Sequence, residues 1–176
     1  HYPLRRQRQM CIRDRIVTWA FGATRGDVAA CLVGKQINYD GTRGTDGSLS
    51  FTIDTQANGV SLDWCDTLTT GKETHGSAGN STSRDDGAAT SAGMVAYLEI
   101  ADLDSGTATV TIQQSSDNGS GDAFATVLSF TAVAAAAAPA AERITVSGAV
   151  ERYLRITTTG TFSDLDFCVS TRRGTA

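Results

Sequence analysis

Apolar and polar residues alternate with a period of two through much of this chain, the period of half-buried β-strands. In residues 88–173 the runs 95–100, 108–113, 124–131, 143–147, 150–157 and 165–170 are short and rich in Val, Ile, Thr, Tyr and Phe. Clusters of Gly, Asp, Asn and Ser bound each run, and such residues break strands and favour turns. Regular spacing of this kind predicts a C-terminal β-sandwich or jelly roll. Its expected core is Met94, Ala96, Leu98 and Ile100, then Ala108, Val110 and Ile112, then Phe124, Thr126, Leu128 and Phe130. Ile144, Val146, Val150, Leu154, Ile156, Leu165, Phe167 and Val169 complete it, with Arg152 out of character among them.

Upstream, residues 48–56 alternate cleanly, with Leu49, Phe51 and Ile53 opposed to Ser50, Thr52 and Asp54. Asn58-Gly59 then predicts a hairpin turn into a second alternating strand that carries Val60, Leu62 and Trp64. An isolated hairpin is marginal, so this one is expected to complete a larger sheet, from missing upstream sequence or from a neighbouring chain. Residues 27–34, with Asp27 at the start and Gly34 at the end, read as one short helix. Residues 37–40 read as a strand or an extended edge. Residues 71–87 hold one alanine and no larger apolar side chain, and read as a polar linker between regions 16–70 and 88–176. The expectation is thus an all-β protein with one short helix.

Residues 1–15 do not match the rest. They carry Arg5, Arg6, Arg8, Arg13 and Arg15 against Asp14 alone. A basic arm is one reading; a targeting signal fails for want of an apolar stretch behind the arginines. Met10-Cys11-Ile12-Arg13-Asp14 resembles the translation of a transposon-end sequencing adapter, as found on truncated metagenomic reading frames, so this segment is set aside as non-native. Its removal changes the charge. Lys+Arg falls from 15 to 10 and Asp+Glu from 19 to 18, taking the net charge from −4 to −8. So acidic a surface repels phosphate backbones, which argues against direct nucleic-acid binding. No apolar run reaches 18 residues, so no membrane-spanning helix is expected.

Candidate chemistry is sparse. Of the four cysteines, Cys11 lies in the suspect segment, and Cys31, Cys65 and Cys168 are widely spaced, as suits buried free thiols better than a zinc site. His75 falls in the polar stretch, where nothing is expected to hold it against a nucleophile. Asp102 with Asp104, and Asp164 with Asp166, could pair as in a glycosidase but read as solvated strand ends. Residues 117–122 offer Asp117, Asn118, Ser120 and Asp122 to a hard cation, and equally make an ordinary hairpin turn. Arg43, Arg84, Arg172 and Arg173 are either solvated or available to acids of a neighbouring subunit. Tyr97, Tyr153 and Trp64 are the aromatics that a surface glycan would stack on. No catalytic, cofactor-binding or metal-ligating residue is assigned, and no cofactor is expected.

Some motifs are familiar. Leu32-Val33-Gly34-Lys35-Gln36-Ile37-Asn38-Tyr39-Asp40, Gln56-Ala57-Asn58-Gly59-Val60-Ser61-Leu62-Asp63-Trp64, Val110-Thr111-Ile112-Gln113-Gln114 and Arg152-Tyr153-Leu154-Arg155-Ile156 together resemble tail proteins from siphophages of actinobacteria. In that family the end of a tail-tube-type domain precedes a β-sandwich decoration domain. The resemblance implies a non-enzymatic virion protein, a tail subunit that forms homo-oligomers through strand edges, with the sandwich facing outward. The alternative expectation is a carbohydrate-binding or host-adhesion module that takes a surface glycan on its C-terminal domain.

Overall fold

The computed structural model describes residues 15–174, without the side chain of Tyr39. The segment set aside above lies outside the described residues, save Arg15. The architecture is all-β, as the alternation predicts, with twelve strands in one hydrogen-bonded sheet. The strands are β1 (Arg15–Ala20), β2 (Val28–Arg43), β3 (Leu49–Ala57), β4 (Asp63–Thr67), β5 (Glu73–His75), β6 (Gly79–Asn80), β7 (Arg84–Asp85), β8 (Met94–Ser115), β9 (Ala125–Ser129), β10 (Val133–Ala134), β11 (Ala140–Val146) and β12 (Tyr153–Arg173). The sheet runs in the order β1-β2-β4-β12-β8-β10. Ala135–Ala137 form a single 3₁₀ turn.

The frame is the antiparallel pair of β8 and β12, in register from Tyr153↔Ser115 to Arg173↔Met94. Four of the predicted short strands are the halves of these two long ones. The break is a bend rather than a loop: Gly106 and Gly160 have positive φ, Asp164 has φ 43°, and the register shifts between Asp166 and Phe167. The bend gathers Leu98, Ile100, Ile112, Leu154, Ile156, Leu165, Phe167 and Val169 into one buried core. The expected core is largely found. Phe124 instead lies half-buried beneath the Arg155 guanidinium, 4.1 Å from the ring centroid, and Thr126 is exposed.

Three expectations fail. The expected helix over 27–34 is absent: residues 28–34 form the start of strand β2. The run carries apolar side chains on both faces, a pattern that two turns of helix and a doubly covered strand share. Second, β3 and β4 are not hairpin partners across Asn58-Gly59. Both pair with β2, β4 over Val28 to Cys31 and β3 over Gly34 to Arg43. Third, residues 71–87 are no linker. β5, β6 and β7 all pair with β12, and polar hydrogen bonds replace the apolar anchoring that composition would have revealed.

Candidate assembly surface

β1, β2 and β4 form a patch with two faces. Ala29, Cys31 and Cys65 turn inward onto Val95 and Tyr97 of β8, with Ile16 and Val33 at the margin. The outward face is also apolar. Trp19 stands opposite Ala30, and Ala30 opposite Trp64, so the two tryptophans flank one alanine across three strands. Their exposures are 68% and 58%. Phe21, 64% exposed, lies 6.0 Å from the Trp64 ring.

Beyond Gly34, β2 runs on with β3 as an arm that is two-stranded among the described residues. The turn is closed by Gly44 N–H to Ser48 O at 2.8 Å and Ser48 N–H to Asp46 Oδ1 at 3.0 Å. Leu49, Phe51 and Ile53 are 51–60% exposed on one face of the arm. Alternation along β3 puts them on the face of Thr55 and Ala57, opposite Gln36 and Gly34. The outward faces of patch and arm are therefore one surface. The other face of the arm is polar, with Asn38 donating to Asp54 Oδ2 at 3.2 Å. Among the described residues, no strand pairs with the outer edge of β3, nor with β2 beyond Gly34 on its β1 side.

A polar clamp fixes this layer to the frame. Tyr97 Oη donates to Asp63 Oδ2 at 2.5 Å, and Arg143 Nε donates to Tyr97 Oη at 2.9 Å. Arg172 Nε lies 3.1 Å from Asp63 Oδ1. Burial and the neighbouring Asp63 hold the Tyr97 hydroxyl well above its ordinary pKa. Tyr97 is thus withdrawn from any sugar. Tyr153 is half-buried with the Arg152 guanidinium 5.0 Å from its ring centroid, which leaves Trp64 exposed among the three candidate aromatics. Arg84 is buried and donates to Asp86, to the carbonyls of Asp66 and Thr67, and to Thr171 Oγ1. Arg173 pairs with Asp86 at 3.4 Å. Arg84, Arg172 and Arg173 are thereby engaged within the chain, while Arg43 stays exposed on the arm.

His75 is held after all. Its Nδ1 lies 2.7 Å from Thr158 Oγ1, and its Nε2 lies 3.1 Å from Glu73 Oε1 and 3.2 Å from Ser81 Oγ. Burial opposes ionisation of Glu73, yet Ser81, His75 and Arg25 outweigh it and hold the carboxyl below its usual range. Composition could not have found this cluster, because its members come from β5, Ser81 and β12. Ser81 and Thr158 are 7% and 1% exposed. The cluster anchors β5 and β6 to β12.

Asp104 and Asp164 are exposed, and the remaining candidates are accounted for locally. Asp117 accepts N–H donors from Ser120, Gly121 and Asp122, and Asp122 accepts from Ser116, so the loop 117–122 holds itself. Asp166 bonds Lys72 and Thr74, and Asp102 bonds the Leu103 amide. Among the described residues, no group of three metal-ligating side chains occurs. Cys31 and Cys65 are buried free thiols, and burial pushes the half-buried Cys168 thiol up to about 12. A cleft of 710 Å³ lies between β1 and β11, lined by Ile16, Thr18, Glu99, Ala140, Cys168 and Ser170 among others.

No family model, no curated protein and no solved structure matches this chain.

Proposed function

We propose that this chain is a non-enzymatic structural subunit of a bacteriophage tail, which assembles with copies of itself through strand edges. The β2–β3 arm carries this reading. Beyond Gly34, which pairs with the first described residue Arg15, it runs on for about nine residues of β2, roughly 30 Å of ribbon. Both of its edges are open among the described residues. Open, flat edges are a liability that monomeric proteins blunt, and they template strand addition between chains. A two-stranded ribbon alone in water is marginally stable. A neighbouring strand on either edge would remove that deficit. The resemblance to siphophage tail proteins supplies the setting, a virion tail, and the β8–β12 frame supplies a stable body outside the contact.

Negative-stain electron microscopy of the purified chain tests the reading. Rings or tubes are expected. Replacing residues 37–54 by an Asn-Gly turn should abolish them while leaving circular dichroism of a folded β protein. Monodisperse small species under all assembly conditions would overturn it.

A further inference from the structure

Both tryptophans of the chain stand on the outward face described above, and at its root that face belongs to strands with apolar side chains on both sides. Strands that are apolar on both sides occur where both sides are covered. We infer that the cover is a second copy of this chain, packed face to face through Trp19, Phe21 and Trp64 at the root and Leu49, Phe51 and Ile53 on the arm. This contact uses the sheet face, whereas the assembly proposed above uses strand edges, so the two stand or fall separately.

The area is sufficient. Two Trp, two Phe, a Leu and an Ile, each 51–68% exposed, offer roughly 700 Å² per copy if a large aromatic buries about 150–250 Å². That exceeds the apolar patch usual on a monomer, about 300–600 Å². It approaches the ~800 Å² per partner of a standard interface.

The symmetry follows from the geometry. Two copies that meet by the same face relate across a two-fold axis, which makes the contact isologous. The root centres on Ala30 and the arm patch on Gly41, which is opposite Phe51. A two-fold axis midway between them, near Gly34 and Gln36, lays the arm of each copy over the root of the other. Gly34, Ala57 and Thr55 stand there beside Gln36, so one long side chain among small ones faces the axis where two sheets would pack about 10 Å apart. The same operation sets Arg43, beside Leu49, over Val28 and its neighbour Asp66, both exposed. An exposed cation of each copy thus faces an exposed acid of the other. The polar face with Asn38, Asp40 and Asp54 stays in water.

The test reads mass and tryptophan emission together, because Trp19 and Trp64 are the only tryptophans. Light scattering behind size exclusion should give an even multiple of the 18.4 kDa chain mass, and twice that mass where no rings or tubes form. An interface of this size has a dissociation constant of about 1 μM or below. Dilution below it should move the emission maximum to the red as the indoles enter water. Phe51→Asp and Trp64→Lys should each weaken the dimer by about 30-fold or more, as at interface hot spots. Both positions are exposed, so circular dichroism should be unchanged. Mixing Phe51→Cys with Trp64→Cys chains should give a mixed disulfide of dimer mass that neither chain gives alone. A monomer at ~100 μM, a dimer indifferent to both charged variants, or a soluble glycan that quenches Trp64 in a monomeric protein would each overturn the inference. A dimer without rings or tubes would sustain it while removing the tail-subunit reading.

Discussion

Tyr97 donates its phenolic hydrogen to Asp63 Oδ2 across 2.5 Å, at positions 1% and 5% exposed. One residue lies in the frame strand β8 and the other in β4, so this bond is the polar join between the outer layer and the body. Arg143 and Arg172 complete it from β11 and β12. Removing the hydroxyl by Tyr97→Phe should cost about 1–3 kcal/mol, because a buried carboxylate loses a donor. Asp63→Ala should cost about 3 kcal/mol or more, because it strips two arginines and a hydroxyl at once. Urea denaturation should rank the two in that order; equal losses would mean the join is not organised around Asp63.

Arg84 illustrates how the stretch 71–87 is tied down. Its guanidinium serves Asp86, two carbonyls at the end of β4 and Thr171, all from an 8% exposed site. Arg84→Met keeps the bulk and removes every donor. The expected loss is about 3 kcal/mol. Proteolysis should then begin within 71–87, where the native chain is protected.

Glu99 makes stability depend on pH in an unusual direction. Burial raises its pKa above the ordinary 4.5, against hydrogen bonds from Thr18 and Cys168 that lower it. Among the described residues its Oε1 has no hydrogen-bond partner. A raised folded pKa means that the unfolded chain ionises first as pH rises. The carboxyl therefore favours the fold below 4.5 and loses that contribution as pH climbs through the folded value. Glu99→Gln should gain stability over the parent with rising pH, then hold a constant margin. A margin that shrinks as pH rises from 4 to 7 would contradict this.

Gly106 sits at the bend of β8 with φ +82°, where an added Cβ would run into the carbonyl oxygen of Thr161. Gly106→Ala combines a disfavoured backbone with a clash across the β8–β12 ladder, and should cost at least about 2 kcal/mol. Thermal melts should show it. Gly47→Ala, also at positive φ but in open space, should cost less.

Phe51 and Leu128 show where the sequence was legible and where it was not. Both lie on alternating runs and look alike as letters, yet Leu128 is 6% exposed and Phe51 51%. Alternation reports that one side of a strand is apolar; it does not report what covers that side. His75, Glu73 and Ser81 show the converse, since their polar stretch has the composition of a linker while hydrogen bonds to β12 hold it in the sheet. Hydrogen-bonded burial leaves no trace in hydropathy.

What the sequence by itself determined is local. Period-two alternation and the Gly, Asn and Asp turns set an all-β chain, the positions of most strands and most of the core, because side chains on a strand change sides at every residue whatever lies beside them. Only the tertiary structure decided that residues 28–34 extend rather than coil, that β3 and β4 both lie along β2, and that four short strands are two long bent ones. Those outcomes rest on pairings between residues up to about eighty apart in the chain. Such pairings depend on which edge is free when another strand arrives, and no local window of residues carries that information.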